Sequence, residues 1–262
     1  MRRIRFGVNY TPSENWWYSW IDWDSSSIRR DLNAIAELGM DHIRIHCLWP
    51  VFQPNRAYVS ETALERLSQL LDISYSFGMD VQVTVLDGWL SGFVFYPAWK
   101  GSKNMFTDPD LLEGQKLLFT EIAGRIGKHP AFLGFDIGNE INVLNFFGDN
   151  CTPQEGDLWQ EQILSLCEKL APGKFHVNGV DHNPWFFNRG FSRHALGQKG
   201  AATSIHAWVE FAGARSRYKP LERGSTSLAE YFIELAKAYS LNLERPIWLQ
   251  EFGASELWMT KE

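Results

Sequence analysis

Short apolar runs alternate along the chain with segments whose apolar residues recur at helical spacing. The run IRFGVNY (4–10) predicts a first strand. Asp24 then precedes a stretch in which Ile28, Leu32, Ile35 and Leu38 share one face, and Gly39 closes it. That pattern predicts a capped helix. HIRIHCLW (42–49) predicts the second strand, and Ser60 caps a helix ending at Gly78. DVQVTVLD (80–87) predicts the third strand, and a long aromatic loop follows it. Asp108 with Pro109 opens the next helix. AFLGFDIGNE (131–140), FHVNGV (175–180), TSIHAW (203–208) and PIWLQEFGAS (246–255) predict strands four to seven. Capping-box patterns at Thr152–Glu155 and Ser227–Glu230 open two further helices, and a weaker helix is expected around 185–197.

Most of these strands are apolar on both faces, and each precedes a helix. This is the pattern of a parallel sheet covered by helices. The first turn, NYTPSENWW, has no glycine-rich phosphate motif, which disfavours a doubly wound sheet. The expected fold is therefore α/β, a (β/α)8 TIM-type barrel with seven βα strands identifiable. One catalytic domain is expected over residues 1–262, lacking a final helix–strand–helix, because the sequence stops eleven residues after Glu251. An open parallel edge is a liability. A sequence truncated after the seventh strand, or a homodimer covering the open edge, would each account for it.

Composition narrows the function classes. The formal charge of −6 and pI near 5.7 argue against a nucleic-acid partner. Three cysteines make no disulfide framework. No apolar run approaches a membrane span, and the amino terminus has no apolar signal core, so a cytoplasmic location is expected. Tryptophan is over-used, with 12 residues, several in loop-like sequence.

In a barrel, side chains at the carboxyl ends of the strands build the active site. Here those positions hold Asn9, His46, Asp87, Trp89, Asn139, Glu140, Asp181, His182, His206, Trp208 and Glu251. Glu140 and Glu251 end strands that face each other across a barrel. Paired carboxylates suit glycoside hydrolysis: one protonates the leaving oxygen while the other attacks or activates water. Each charge raises the proton affinity of the other. A lone glutamate at a strand end is more often an ion-pair partner or helix cap; the second one changes that balance.

Four stretches resemble clan A glycoside hydrolases, most closely glycoside hydrolase family 5 of the cellulase and mannanase type. They are GFDIGNEIN, IWLQEFGAS, HIRIHCLWPVFQP and IHAW. The resemblance runs from residue 4 to about 256. It implies Glu140 as acid/base, Glu251 as nucleophile and retention of configuration. It also implies Asn139 as a ligand of the sugar 2-hydroxyl, Arg44 beneath the nucleophile and His206 in the site. A structural ion pair inside the barrel is the alternative for Arg44. Two departures stand out. Trp208 occupies a position where the family usually has a tyrosine bonded to the nucleophile, and Asp87-Gly88-Trp89 replaces a common histidine at the third strand end.

Sugar rings present C–H faces that aromatic rings can cover. Trp16, Trp17, Trp20, Trp23, Trp89, Trp99 and Trp185 are therefore candidate sugar platforms, with loop packing as the alternative. Trp49, Trp159 and Trp248 are expected to be structural. His46 and His206 are expected to face the site. No close-spaced histidines suggest a metal, and no cofactor is expected. The expected activity is retaining cleavage of β-linked glucan- or mannan-type poly- or oligosaccharides, with endo action favoured by the loop tryptophans. The alternatives are an inactive carbohydrate-binding relic, or an exo-acting β-mannosidase or β-galactosidase-like enzyme on short oligosaccharides.

Overall fold

The computed structural model describes residues 4–253, except 188, 210, 211, 215 and 220. Among them six strands form: β1 (Gly7–Asn9), β2 (His42–His46), β3 (Asp80–Asp87), β4 (Phe132–Asn139), β5 (Thr203–Trp208) and β6 (Ile247–Gly253). All pairings are parallel, in the orders β1-β2-β3-β4 and β5-β6. The long helices are α1 (Ser25–Glu37), α2 (Glu61–Ser76), α3 (Pro109–Ile126), α4 (Pro153–Leu170) and α5 (Leu228–Tyr239).

Side chains meeting from distant strands show that the sheet curls. Arg44 on β2 reaches Asp136 on β4 and Glu251 on β6, and Asn9 on β1 donates to the Gln250 carbonyl at 3.0 Å. A flat sheet could not bring these four strands to one point, whereas a barrel wall does.

Local chemistry explains most element boundaries. Asp24 accepts from the Ser26 and Ser27 amides, Ser60 from Ala63, and Asp108 from Asp110 and Leu111. Thr152 and Glu155 form a complete capping box. Each device satisfies amides that the first helical turn leaves without partners.

Four expectations are corrected. β1 is shorter than 4–10: Ile4 and Phe6 precede it, exposed. The run 175–180 does not become a strand. It lies along β4 through bonds from Phe175 N to Leu133 O and from Val177 N to Phe135 O, both 2.8 Å, yet forms one isolated bridge. Gly134 permits this approach, since a Cβ there would lie 2.1 Å from the Phe175 carbonyl. The helix expected around 185–197 is two single turns, Asn183–Phe186 and Arg193–Leu196. Gly190 separates them at φ 75°, where it abuts Asn145. Ser227 makes no capping bond, because a helical turn at Arg223–Thr226 runs directly into α5. The last two residues of the run 246–255 lie outside the described residues.

No described helix is long and apolar enough to cross a membrane.

Candidate active site

The site grows from one buried arginine. Arg44 is 1 % exposed, which would be costly for a lone charge. Its Nε and Nη2 donate to Asp136 Oδ2 at 2.9 and 2.7 Å, and Nη1 donates to Glu251 Oε1 at 2.7 Å. Its remaining bonds go to the Oδ1 atoms of Asn9, at 3.0 Å, and Asn139, at 2.7 Å. The guanidinium thus fixes side chains from β1, β4 and β6 in one cluster.

Asp136 was not singled out from the sequence. It sits inside an apolar strand, and that interruption of FLGFDIG was the available signal. Its carboxylate also accepts from Thr84, the Gly179 amide and Gln250 Nε2.

Glu140 follows β4 directly and has a left-handed backbone, φ 44° and ψ 38°. Such a conformation is unfavourable for a residue with a Cβ and persists only where its surroundings impose it. The loop after β3 supplies that constraint, because Gly88 packs so closely that a Cβ would lie 2.5 Å from Ile141 Cα. The chain then turns into a 3-10 helix, Ile141–Phe146.

His206 on β5 lies between the two glutamates. Its Nδ1 is 3.0 Å from Glu140 Oε1 and 3.6 Å from Glu251 Oε2. Its Nε2 is 2.9 Å from Gln250 Oε1. Gln250 donates its amide nitrogen to Asp136, so its oxygen faces the ring and Nε2 carries a proton. Burial acts against the charged ring, but the Glu251 charge and the bond to Glu140 outweigh it and raise its pKa to about 9. Glu140, His206 and Glu251 each bring one ligand-type atom within 4.8 Å of the others.

The two carboxylates are driven apart in proton affinity. Burial, reinforced by the Glu251 charge, raises Glu140 to about 7 despite the His206 bond. Burial also works against an ionised Glu251, but the charges of His206 and Arg44, with the Trp208 N–H, bring it to about 2. Near pH 6 one carboxyl is protonated and the other ionised. Because His206 binds Glu140 Oε1, the acidic proton is left to Oε2.

The tyrosine departure is resolved by geometry. Trp208 Nε1 donates to Glu251 Oε2 at 2.9 Å, so the indole supplies a bond to this carboxylate. At the third strand end, Asp87 is buried and Oδ1 lies 3.0 Å from His46 Nδ1, which turns the other face of that ring to the cleft.

A cleft of about 540 Å³ opens over the pair. Asn9, His46, Trp17, Trp89, Asn139, Glu140, His206, Trp208 and Glu251 line it. Asp181 and His182, expected at a strand end, also line it, and so do Asn183, Val143 and Phe146, which were not among the candidates. Asp181 and His182 were visible as a strand end, but Val143 and Phe146 lie in loop sequence without a motif.

Three candidates for direct substrate contact are placed elsewhere. Arg44 lies buried beneath the cleft and acts through Glu251 and Asn139. Asp87 sits behind His46. Trp16 does not line the cleft and packs edge-on against Phe93. Asn139 is itself largely committed, accepting from Arg44 and donating one N–H to the Trp89 carbonyl.

Most loop tryptophans pack. Trp20 is buried, stacks on Trp23 and donates to the His46 carbonyl, while Trp99 packs on Trp49 and Trp185 is 1 % exposed. Trp49 and Trp159 are fully buried, whereas Trp248 is only partly so, against His42 and Phe175. Among the described tryptophans only Trp17, Trp89 and Trp208 line the cleft.

Residues 4–172 match the family description "Cellulase (glycosyl hydrolase family 5)". Among solved structures, a variant of a family 5 subfamily 18 protein from Streptomyces cattleya, in complex with Manβ1-4GlcNAc, is 39% identical with a TM-score of 0.92. That match covers 95% of this chain and 62% of the other. An exo-β-1,4-mannosidase from Opitutaceae bacterium strain TAV5 is 25% identical with a TM-score of 0.85, covering 96% of this chain and 46% of that one. Cellodextrinase A from Ruminococcus flavefaciens is 25% identical over 161 residues, 58% of this chain and 44% of the relative. The chain thus spans less than two thirds of the length of these relatives. The fold is the (β/α)8 barrel expected from the strand–helix repeats. On the match over residues 4–172, with Arg44, Asn139 and Glu140 falling inside it, the chain belongs to glycosyl hydrolase family 5.

Proposed function

We propose that this chain carries the active site of a retaining β-glycosidase, with Glu140 as acid/base and Glu251 as nucleophile. The observation that carries the proposal is the carboxylate pair, with oxygens within 4.8 Å and opposite proton affinities. Retaining enzymes hold their carboxyl groups about 5–5.5 Å apart, too close to admit a water between acid and base. Glu251 attacks the anomeric carbon, the glycosidic C–O bond breaks, and the Glu140 proton passes to the leaving oxygen. Glu140, now ionised, takes a proton from water as that water attacks the same carbon and releases Glu251. The unused N–H of Asn139 serves the sugar 2-hydroxyl, a contact that strengthens in the transition state.

The substrate we propose is a short β-mannoside cut from its non-reducing end. With three tryptophans on the cleft, the argument for a long polysaccharide groove loses its basis. The subfamily 18 relative was solved with Manβ1-4GlcNAc, and another relative is an exo-mannosidase. Incubation with Manβ1-4GlcNAc, mannobiose, cellobiose and soluble mannan tests this. Free mannose from the first is expected, without loss of mannan viscosity. Rapid viscosity loss would overturn exo action, and preferred release of glucose from cellobiose would overturn the mannoside reading. No turnover of any substrate would overturn catalysis.

The pH profile follows from the same groups. Glu140 must be protonated, so kcat/KM falls as pH rises through about 7. Glu251 must be ionised, so its limb lies far to acid, at about 2. The alkaline limb belongs to the Glu140–His206 pair, since their protons are coupled. An alkaline limb at pH 4–5, the range of an ordinary glutamate, would contradict this electrostatic picture.

A further inference from the structure

Gln250 directly precedes Glu251, yet the two side chains serve the same site. In a regular strand consecutive side chains point to opposite faces. Here Gln250 reaches Asp136 and His206, while Glu251 reaches Arg44 and Trp208. The strand register shows how. Ile205 on β5 pairs with Leu249 and His206 pairs with Glu251, so Gln250 is an extra residue on β6. Such a bulge re-aims a side chain that the pleat would turn away.

The bulged residue is anchored through both its backbone and its side chain. Its carbonyl accepts from Asn9 Nδ2 at 3.0 Å. Its buried amide donates from Nε2 to Asp136 Oδ2 and accepts at Oε1 from His206 Nε2, both at 2.9 Å. A Cβ at position 179 would lie 2.9 Å from that Oε1, so Gly179 leaves the amide its room. A carboxylate can only accept, so Asp136 takes the NH2 side and turns the amide oxygen to the ring. Gln250 does not line the cleft, so these bonds serve the ring and not a substrate.

We propose that Gln250 is a positioning residue whose amide oxygen keeps a proton on His206 Nε2, and with it the imidazolium charge between the two glutamates. The charged or titratable groups facing the ring are Glu140, Glu251, Arg44 and His182, and Asp181 adds to the field at Glu140. None of them is altered when Gln250 is replaced. Gln250→Met leaves the buried Nε2–H without an acceptor, which favours its loss. With less charge on the ring, Glu140 keeps its own proton to higher pH.

Titration of the full chain by nitrogen-15 NMR of the His206 ring tests this without turnover. The parent ring should lose its second proton near pH 9. Gln250→Met should lower that midpoint by about one unit or more, the scale of a lost hydrogen bond to a charged group. In Gln250→Glu one carboxyl oxygen still accepts from the ring while the other shares a proton with Asp136, so the midpoint should stay at or above the parent's. The alkaline limb of kcat/KM should move to higher pH in Gln250→Met, with KM near the parent value. A merely structural role would lower the melting temperature and leave both the ring and the limb in place. A parent ring that titrates in the ordinary histidine range, near 6.5, would overturn the proposal. So would a ring or a limb that does not move in Gln250→Met, or, should that variant not fold, a lowered midpoint in Gln250→Glu. This role deepens the proposed glycosidase reading, on which only the kinetic readout rests. The expected ring titrations in a chain that hydrolyses no β-glycoside would uphold the role of Gln250 and overturn the catalytic reading instead.

Discussion

Glu251→Ala is expected to lower kcat by roughly ten-thousand-fold or more, the scale seen when an enzyme loses a covalent nucleophile. The defect should be chemical and not structural, because Arg44 keeps its two bonds to Asp136 after the substitution. An external anion separates these possibilities. With azide and an activated β-glycoside, the space left by the carboxylate admits the azide, which attacks once and yields the α-glycosyl azide. Glu140→Ala should behave differently. Glu251 still forms the glycosyl-enzyme from a substrate whose leaving group needs no proton, and azide then yields the β-product. NMR of the product's anomeric proton reads the outcome directly. Substantial hydrolysis by Glu251→Ala, or a β-azide from it, would remove Glu251 from the nucleophile's role.

Arg44→Met should produce the largest loss of stability, roughly 3–5 kcal/mol, the range for removing one partner of a buried ion pair. Methionine fills much of the volume but leaves Asp136, which is 0 % exposed, without its cation. Glu251 loses a charge that holds it low, so its carboxyl should titrate higher. The linkage has a definite sign. In the parent chain the folded pKa of Glu251 lies below the unfolded value, so its contribution is present above pH 4.5 and is lost as pH falls toward about 2. Arg44→Met should flatten that acid dependence as well as lower stability at neutral pH. Urea denaturation at pH 3 and pH 6 measures both effects. A variant with unchanged stability would mean that the arginine cluster does not hold the strands together.

The sequence carried the two glutamates because their chemistry is local. Each ends an apolar strand, in a motif that can be read without knowing what lies opposite. The (β/α) repeat was legible for the same reason, since burial on both faces leaves its mark on every strand. The residues that tune the glutamates were less visible. Asp136 and Gln250 lie within strands whose motif attention goes to the neighbouring acid, and their partners are 92 and 114 positions away. The tryptophans were ambiguous as a class. Twelve in the chain suggested a long sugar-binding groove, yet whether an indole faces a ligand or another indole depends on packing that composition does not encode.

The amino-acid sequence by itself determined which carboxylates end the strands, the parallel strand–helix plan, and the caps that start four of the helices. Those are nearest-neighbour properties, fixed by side-chain chemistry and periodicity. The motif resemblance already implied Glu140 as the acid/base and Glu251 as the nucleophile; only the tertiary structure supplies the physical reason their proton affinities differ. Both are glutamates at strand ends. What separates them is that Arg44, His206 and Trp208, drawn from three parts of the chain, place positive charge and a donor on one carboxylate, while burial beside that ionised partner keeps the proton on the other.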